Sequence, residues 1–149
     1  MAGKYFEEFE NGDRYESAWR YISESDLRRF VDLTGLSEPL FTSQQYVTEN
    51  TEYDGWIVPG YLTMCYSLGL FMDSGWLDEG IAYLGAEELA FDAPVHVGDE
   101  IRAIVDVAGL RETSSGENGV VTFEWRVEST AHDRVMSLVS RHLVKRGGE

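Results

Sequence analysis

The chain predicts an α+β fold on three observations. Apolar residues recur at helical spacing in its first half, and an apolar segment from Leu62 to Met72 lies at its middle. The second half then switches to period two and to β-branched and aromatic residues. Helical elements followed by a run of antiparallel strands make an α+β domain. At 149 residues the chain has the usual size of one domain, and no repeat or low-complexity run suggests a linker.

The elements follow in order. Residues 14–21 read as a first strand. Ser23-Glu24-Ser25-Asp26 then supplies a hydroxyl cap and first-turn acids for a helix that carries Leu27, Phe30, Val31 and Leu33 and stops at Gly35. That helix delivers a loop, residues 36–41. Ser43 caps a further helical turn reaching Asn50, and the polar residues 51–55 return the chain to the centre. Pro59 suits the first position of the next helix, where its missing N–H does no harm. From Leu62 to Met72 this helix is apolar on nearly every side, which predicts burial all round, with Cys65 as a small buried hydrophobe. Strands are expected over 81–91, 100–110, 120–129 and 135–144. Gly98-Asp99, residues 114–119 and His132-Asp133 supply the turns, so that successive strands become hairpin neighbours.

Charge narrows the partners. The sequence has 27 Asp plus Glu against 12 Lys plus Arg, a formal net charge of −15, and its only lysines are Lys4 and Lys145. Such a surface repels nucleic acid and anionic lipid. Scarce Lys beside retained Arg points to molar salt, where screening over about 3 Å makes self-repulsion tolerable; an ordinary acidic cytosolic protein is the alternative. With Cys65 as the only cysteine, no intrachain disulfide forms, and a reducing cytoplasm fits. Residues 1–5 show no apolar signal region, and no stretch approaches a membrane span. A cytoplasmic protein without membrane or nucleic-acid partners is expected.

Three segments carry a resemblance. Thr34-Gly35-Leu36-Ser37-Glu38-Pro39-Leu40-Phe41 resembles the Thr-Gly-Asp-x-Asn-Pro-x-His signature of the MaoC-like hydratases, (R)-specific enoyl-CoA hydratases (lyases) with a hot-dog fold. Thr34, Gly35 and Pro39 match, but Leu36 stands where the family has its catalytic Asp, Glu38 stands for the Asn, and Phe41 stands for the catalytic His. The family's apolar helix opens with His-Gly; here Pro59 replaces the His and Gly60 is retained. Residues 5–13 are similar to the family's opening, and Phe91-Asp92-Ala93-Pro94-Val95-His96-Val97-Gly98-Asp99 to its Phe-x-x-Pro-Val-x-x-Gly-Asp segment. The resemblance implies a bent antiparallel sheet wrapped around the helix that begins near Pro59. It also implies a dimer, and an acyl-CoA pocket between residues 36–41 and that helix, with Leu36, Phe41, Pro59 and Gly60 as binding residues. No separate cofactor follows, since coenzyme A arrives as part of the thioester substrate. Trp56, Trp76, Tyr83 and Phe91 are candidates for apolar wall or interface.

Hydration of an enoyl thioester needs a base for water, an acid for the alpha carbon, and donors for the enolate oxygen. Leu36 and Phe41 have no exchangeable proton, so the loop should not perform the family reaction. The backbone N–H of Gly60 is the surviving oxyanion donor implied by the resemblance, and packing at a helix start is the competing reason for a glycine there. Glu38 and Asp54 are the acids near enough in sequence to replace the base; solvated surface is the competing role. Tyr61 and Ser67 offer further donors from the helix. His96, His132 and His142 lie apart from the loop, and no cluster with metal-ligand spacing and no phosphate-binding Gly motif occurs. Arg102, Arg111, Arg126 and Arg141, in or beside strands, are candidates for coenzyme A phosphates or for a solubilising face. The leading expectation is a MaoC-like protein of acyl-CoA and fatty acid metabolism, of hydratase or dehydratase ancestry with a degenerate loop. The expected assembly is a homodimer or a heterodimer with another hot-dog chain, and one alternative function is a non-catalytic acyl-CoA-binding subunit of a hetero-oligomeric hydratase, paired with an active MaoC-like chain. The other is a thioesterase in which Glu38 or Asp54 activates water.

Overall fold

Antiparallel pairing organises residues 3–148, which the computed structural model describes. Met1 and Ala2, part of the segment read as lacking a signal, and Glu149 lie outside the described residues. Strands β1 (Arg14–Glu16) and β2 (Arg20–Tyr21) divide the single strand expected over 14–21, because two residues, Ala18 and Trp19, lie opposite Arg102 alone. Ser17 holds the break: its N–H donates to Ala103 O at 2.9 Å, and its Oγ accepts from the Ala103 N–H at 2.9 Å.

Helix α1 (Glu24–Thr34) has the expected ends. Ser23 and Asp26 form a reciprocal capping box, with Asp26 N–H donating to Ser23 Oγ at 3.0 Å and Ser23 N–H to Asp26 Oδ2 at 2.9 Å. Gly35 closes the helix with φ 77°, a left-handed conformation that favours glycine. The loop expected next is not wholly irregular. Pro39 starts a four-residue helix, α2 (Pro39–Thr42), and α3 (Gln44–Asn50) follows behind its Ser43 cap.

Helix α4 (Gly60–Met72) begins one residue later than expected, with Pro59 as its N-cap. It lies in the concave face of the sheet. Phe71 meets the rings of Trp125 and Phe123 edge-on at centroid distances of 5.0 and 5.2 Å. Burial is one-sided, contrary to the composition of the helix. Leu62, Thr63, Ser67 and Phe71 face the sheet, while Tyr61, Cys65 and Met72 are exposed on the other side, so Cys65 is not a buried hydrophobe. The sheet wraps only the first of these faces.

The long strands are β3 (Gly80–Phe91), β4 (Glu100–Glu112), β5 (Asn118–Ser129) and β6 (Met136–Lys145). Their order, β1-β4-β5-β6-β3 with β2 also on β4, makes β4/β5 and β5/β6 hairpin neighbours. The expectation fails for β3 and β4. Strand β3 pairs with β6, and residues 92–99 carry the chain across the sheet to β4. As an edge strand β3 leaves Ile81, Leu84 and Leu89 exposed, and it bulges between Glu87 and Ala90, where Glu88 takes φ 55°.

A short polar row crosses the apolar inner face. Trp125 Nε1–H donates to Ser140 Oγ at 2.8 Å, and Ser140 Oγ lies 3.1 Å from His142 Nε2. An indole only donates, so the serine oxygen accepts and its own proton is free for the imidazole. Burial pushes His142 down to about 4. An unfolded chain takes up that proton at about pH 6.5, so from there down to about pH 4 only the unfolded state is protonated. The stability gained from neutral His142 is therefore intact above about pH 6.5 and lost as pH falls through that window. Urea unfolding should record a loss of roughly 3 kcal/mol across it. His142→Leu should lack this slope, and equal slopes in the two proteins would contradict the assignment.

Candidate functional site

The start of α4 is held by a two-stranded ribbon. Val58 N–H donates to Val95 O at 2.9 Å and Val97 N–H to Trp56 O at 2.8 Å, with Ile57 bridged to His96. Pro59 then caps the helix without a side-chain acceptor. Leu62 N–H bonds back to Pro59 O at 3.0 Å, whereas the N–H groups of Gly60 and Tyr61 have no acceptor among the described residues. They lie at the positive end of a 13-residue helix.

Of the two, Gly60 lines a cavity of about 390 Å³. Leu40 and Phe41 of α2 form one wall and residues 91–95 of the crossover form another; Val58, Thr63 and Val135 complete the apolar end. The α2 wall is pinned from behind, since Trp56 Nε1–H donates to Phe41 O at 3.0 Å and the Arg28 guanidinium sits 5.3 Å over the Trp56 ring. Phe91 closes over the helix start. A Cβ built on Gly60 would lie 2.5 Å from the Phe91 ring, so the glycine is required for this contact as well as leaving its N–H free. Tyr61 meets the same ring edge-on at 5.8 Å.

The structure sorts the expected site residues. Phe41 and Gly60 line the cavity, and Pro59 is buried beside it as the helix cap. Leu36 is half-buried outside the cavity wall, its N–H turned back to Thr34 Oγ1 at 3.3 Å. Glu38 and Asp54 are exposed and do not line it, so the geometry does not bring either acid to Gly60. Ser67 is spent on Thr63 O at 2.7 Å, and Trp76 packs in the core against Phe9 and Phe71. Arg102 is engaged by Glu128 and Glu16, and Arg141 by Glu87.

Three polar wall residues, Tyr53, Thr63 and Asp92, were not singled out from the sequence. Asp92 is the only carboxylate lining the cavity among the described residues. Both of its side-chain contacts fall on Oδ2, at 3.1 Å from Ser137 Oγ and 3.3 Å from Arg134 Nε. Thr63 is 2% exposed and its Oγ1 has no partner among the described residues. Its signal was readable: a hydroxyl three residues after Gly60 shares its helix face. Asp92 carried no such signal, because only the crossover path turns it toward the cavity. Chemically, the arrangement offers the backbone N–H of Gly60 at a helix start for an anionic or carbonyl oxygen, largely apolar walls, and a carboxylate with an arginine beside it. Positions 36 and 41 offer no proton transfer.

Known proteins share this pattern. The family described as MaoC like domain matches residues 7–129. Protein MaoC of Klebsiella aerogenes is 33% identical over 100 residues, which is 66% of this chain and 29% of that relative's length. The (R)-specific enoyl-CoA hydratase of Rhodospirillum rubrum is 30% identical over 106 residues, 71% of each chain. A structure from Archaeoglobus fulgidus, of a protein described as a monoamine oxidase regulatory protein, superposes with a TM-score of 0.91 at 25% identity, covering 99% of this chain and 98% of its own. With its bent six-stranded antiparallel sheet around α4, its positioned helix start and a match over most of its length, the chain belongs to the MaoC-like family and has the hot-dog fold.

Proposed function

We propose that the cavity at the start of α4 binds an acyl-CoA thioester, and that this chain serves acyl-CoA metabolism without the family's own hydration acid and base. The observation that carries the reading is the N–H of Gly60, without an acceptor among the described residues, on a cavity that Gly60 lines together with Phe41. A thioester oxygen accepts from the Gly60 N–H, and the acyl chain lies against Phe41, Val58 and Val135. Arg134, beside Asp92 and largely exposed, is a cation available to the coenzyme A phosphates. With Leu36 and Phe41 in the loop, binding persists and proton transfer does not.

The same reading includes a second hot-dog chain. One whole edge of β3 is unpaired, with Ile81, Leu84 and Leu89 exposed, and the uncovered side of α4 adds Tyr61 and Met72. An exposed apolar edge of this length is a template for another strand. That partner is a second copy or an active relative.

A thioesterase is the second reading, favoured by Asp92 in the cavity wall rather than by Glu38 or Asp54. In that reaction the carboxylate takes a proton from water, the water oxygen bonds to the carbonyl carbon, the C–S bond breaks, and the leaving sulfur is protonated.

Three outcomes test these statements. Calorimetry should detect binding of crotonyl-CoA by the purified protein, with no loss of enoyl absorbance; absence of binding sinks the proposal, and loss of absorbance assigns hydration to other groups. Sedimentation should show a dimer that Ile81→Lys with Leu84→Lys dissociates, while a monomeric wild type would leave a hetero-partner as the remaining form of that idea. If a thiol reagent registers coenzyme A release, Asp92→Asn should reduce it by about a hundredfold or more; an unchanged rate excludes Asp92 as the base.

A further inference from the structure

We propose that a second cavity, between the C-terminal end of α4 and strand β3, is a separate small-molecule site that takes an uncharged, largely apolar molecule and binds its one acceptor oxygen through Nδ1–H of His142. This cavity shares no wall residue with the one at the start of α4, and the inference does not rest on the acyl-thioester reading.

The imidazole is the first support. His142 is only 5% exposed, and the rings of Tyr83 and Phe123 stand edge-on to it at centroid distances of 4.6 and 5.4 Å. Its Nε2 takes the Ser140 hydroxyl proton at 3.1 Å, so the neutral ring carries its own proton on Nδ1. Nδ1 makes no hydrogen bond among the described residues. It is not sealed in the core either, since the fully enclosed side-chain atoms without a partner are Thr63 Oγ1 and His96 Nε2. The cavity is the opening that His142 lines, and the free donor is left to whatever occupies it. Burial keeps this imidazole neutral at pH 7, and no Lys or Arg lines the wall, so an uncharged acceptor suits the site better than a carboxylate.

The cavity itself is the second support. Its volume of about 390 Å³ is that of a small-molecule site, and such sites combine apolar walls with a few fixed polar groups. Leu68 and Met72 of α4, with Leu77 and Ile81, supply the apolar surface; Tyr83 and His142 are the only polar side chains of the wall. Gly69 adds an independent sign that the space is kept open. It sits inside α4, where glycine is costly, yet a Cβ built on it would meet nothing within 4 Å. Packing within this chain therefore gives no reason for the missing side chain at that point of the wall. A side chain of a second chain on β3 is the competing occupant, and a free donor in an otherwise apolar wall favours a ligand oxygen over it.

The test titrates the full chain, in its native assembly, with 2-octanone and with its oxygen-free counterpart 2-methyl-1-octene, while NMR follows the histidine ring nitrogens. Wild type should bind the ketone and shift the Nδ1 signal of His142. His142→Leu should bind the ketone about tenfold more weakly and the alkene unchanged. Gly69→Leu, which fills open space, should melt no lower than wild type and lose both probes. Should the His142→Leu protein fail to fold, Gly69→Leu and the Nδ1 signal carry the test. Absence of ketone binding by wild type, as a water-filled cavity or one plugged by a partner side chain would give, overturns the proposal. So does binding that leaves the Nδ1 signal in place, survives Gly69→Leu, or is displaced by crotonyl-CoA. Crotonyl-CoA binding that leaves the ketone in place supports two separate sites, and failure of crotonyl-CoA alone to bind overturns only the acyl-thioester reading.

Discussion

The ribbon that joins residues 56–58 to residues 95–97 is the constraint on which the site depends. Its two backbone hydrogen bonds, Val58 to Val95 and Val97 to Trp56, fix the point at which the chain turns into α4. The same crossover follows Phe91, whose ring rests on the Cα of Gly60, and contains Asp92. One short pairing therefore places the helix start, the ring above it and the carboxylate beside it. Because the bonds are between backbone groups, they hold whatever the side chains of the ribbon become, and Trp56 extends the effect by binding the Phe41 carbonyl.

Backbone and side chains make separate contributions to this site. The N–H groups at the start of α4 belong to the main chain and persist as long as the helix begins at Gly60. Proton transfer by side chains of the loop would need exchangeable protons, which Leu36 and Phe41 do not have. Phe41 contributes an apolar wall to the cavity and no exchangeable proton. In so acidic a chain, the helix dipole and Arg134 are the local positive features at this place.

Much of the fold could be read from sequence because its signals were local. The capping box of Ser23 and Asp26, the left-handed Gly35 and the period-two strands each act within a few residues. The departures arose where distant parts decide. The helical pattern of α4 gives its apolarity but not which side the sheet covers, so Cys65 and Met72 were assigned to a core they do not enter. Strand order depends on the crossover, and no turn residue reveals that β3 joins β6. At the site, Phe41 and Gly60 were legible through the family pattern. Asp92 was not, because the direction of its side chain is set by a path across the sheet.

The cavity and the uncovered surface meet at Phe91. Its ring caps Gly60 and contacts Tyr61, yet it is the last residue of the exposed edge strand and remains 46% exposed. Tyr61 likewise belongs to both regions, first turn of α4 on one side and uncovered face on the other. A chain that paired with β3 and covered α4 would bury this aromatic pair and restrict the ring that closes over the helix start. A ligand in the cavity that Phe91 lines, as proposed above, would restrict the same ring from the other side. Two events that order one group favour each other, and the coupling is reciprocal by thermodynamic necessity. If the proposed ligand and the proposed second chain both bind, association and occupancy of the cavity are not independent properties, because the same two rings stand between them.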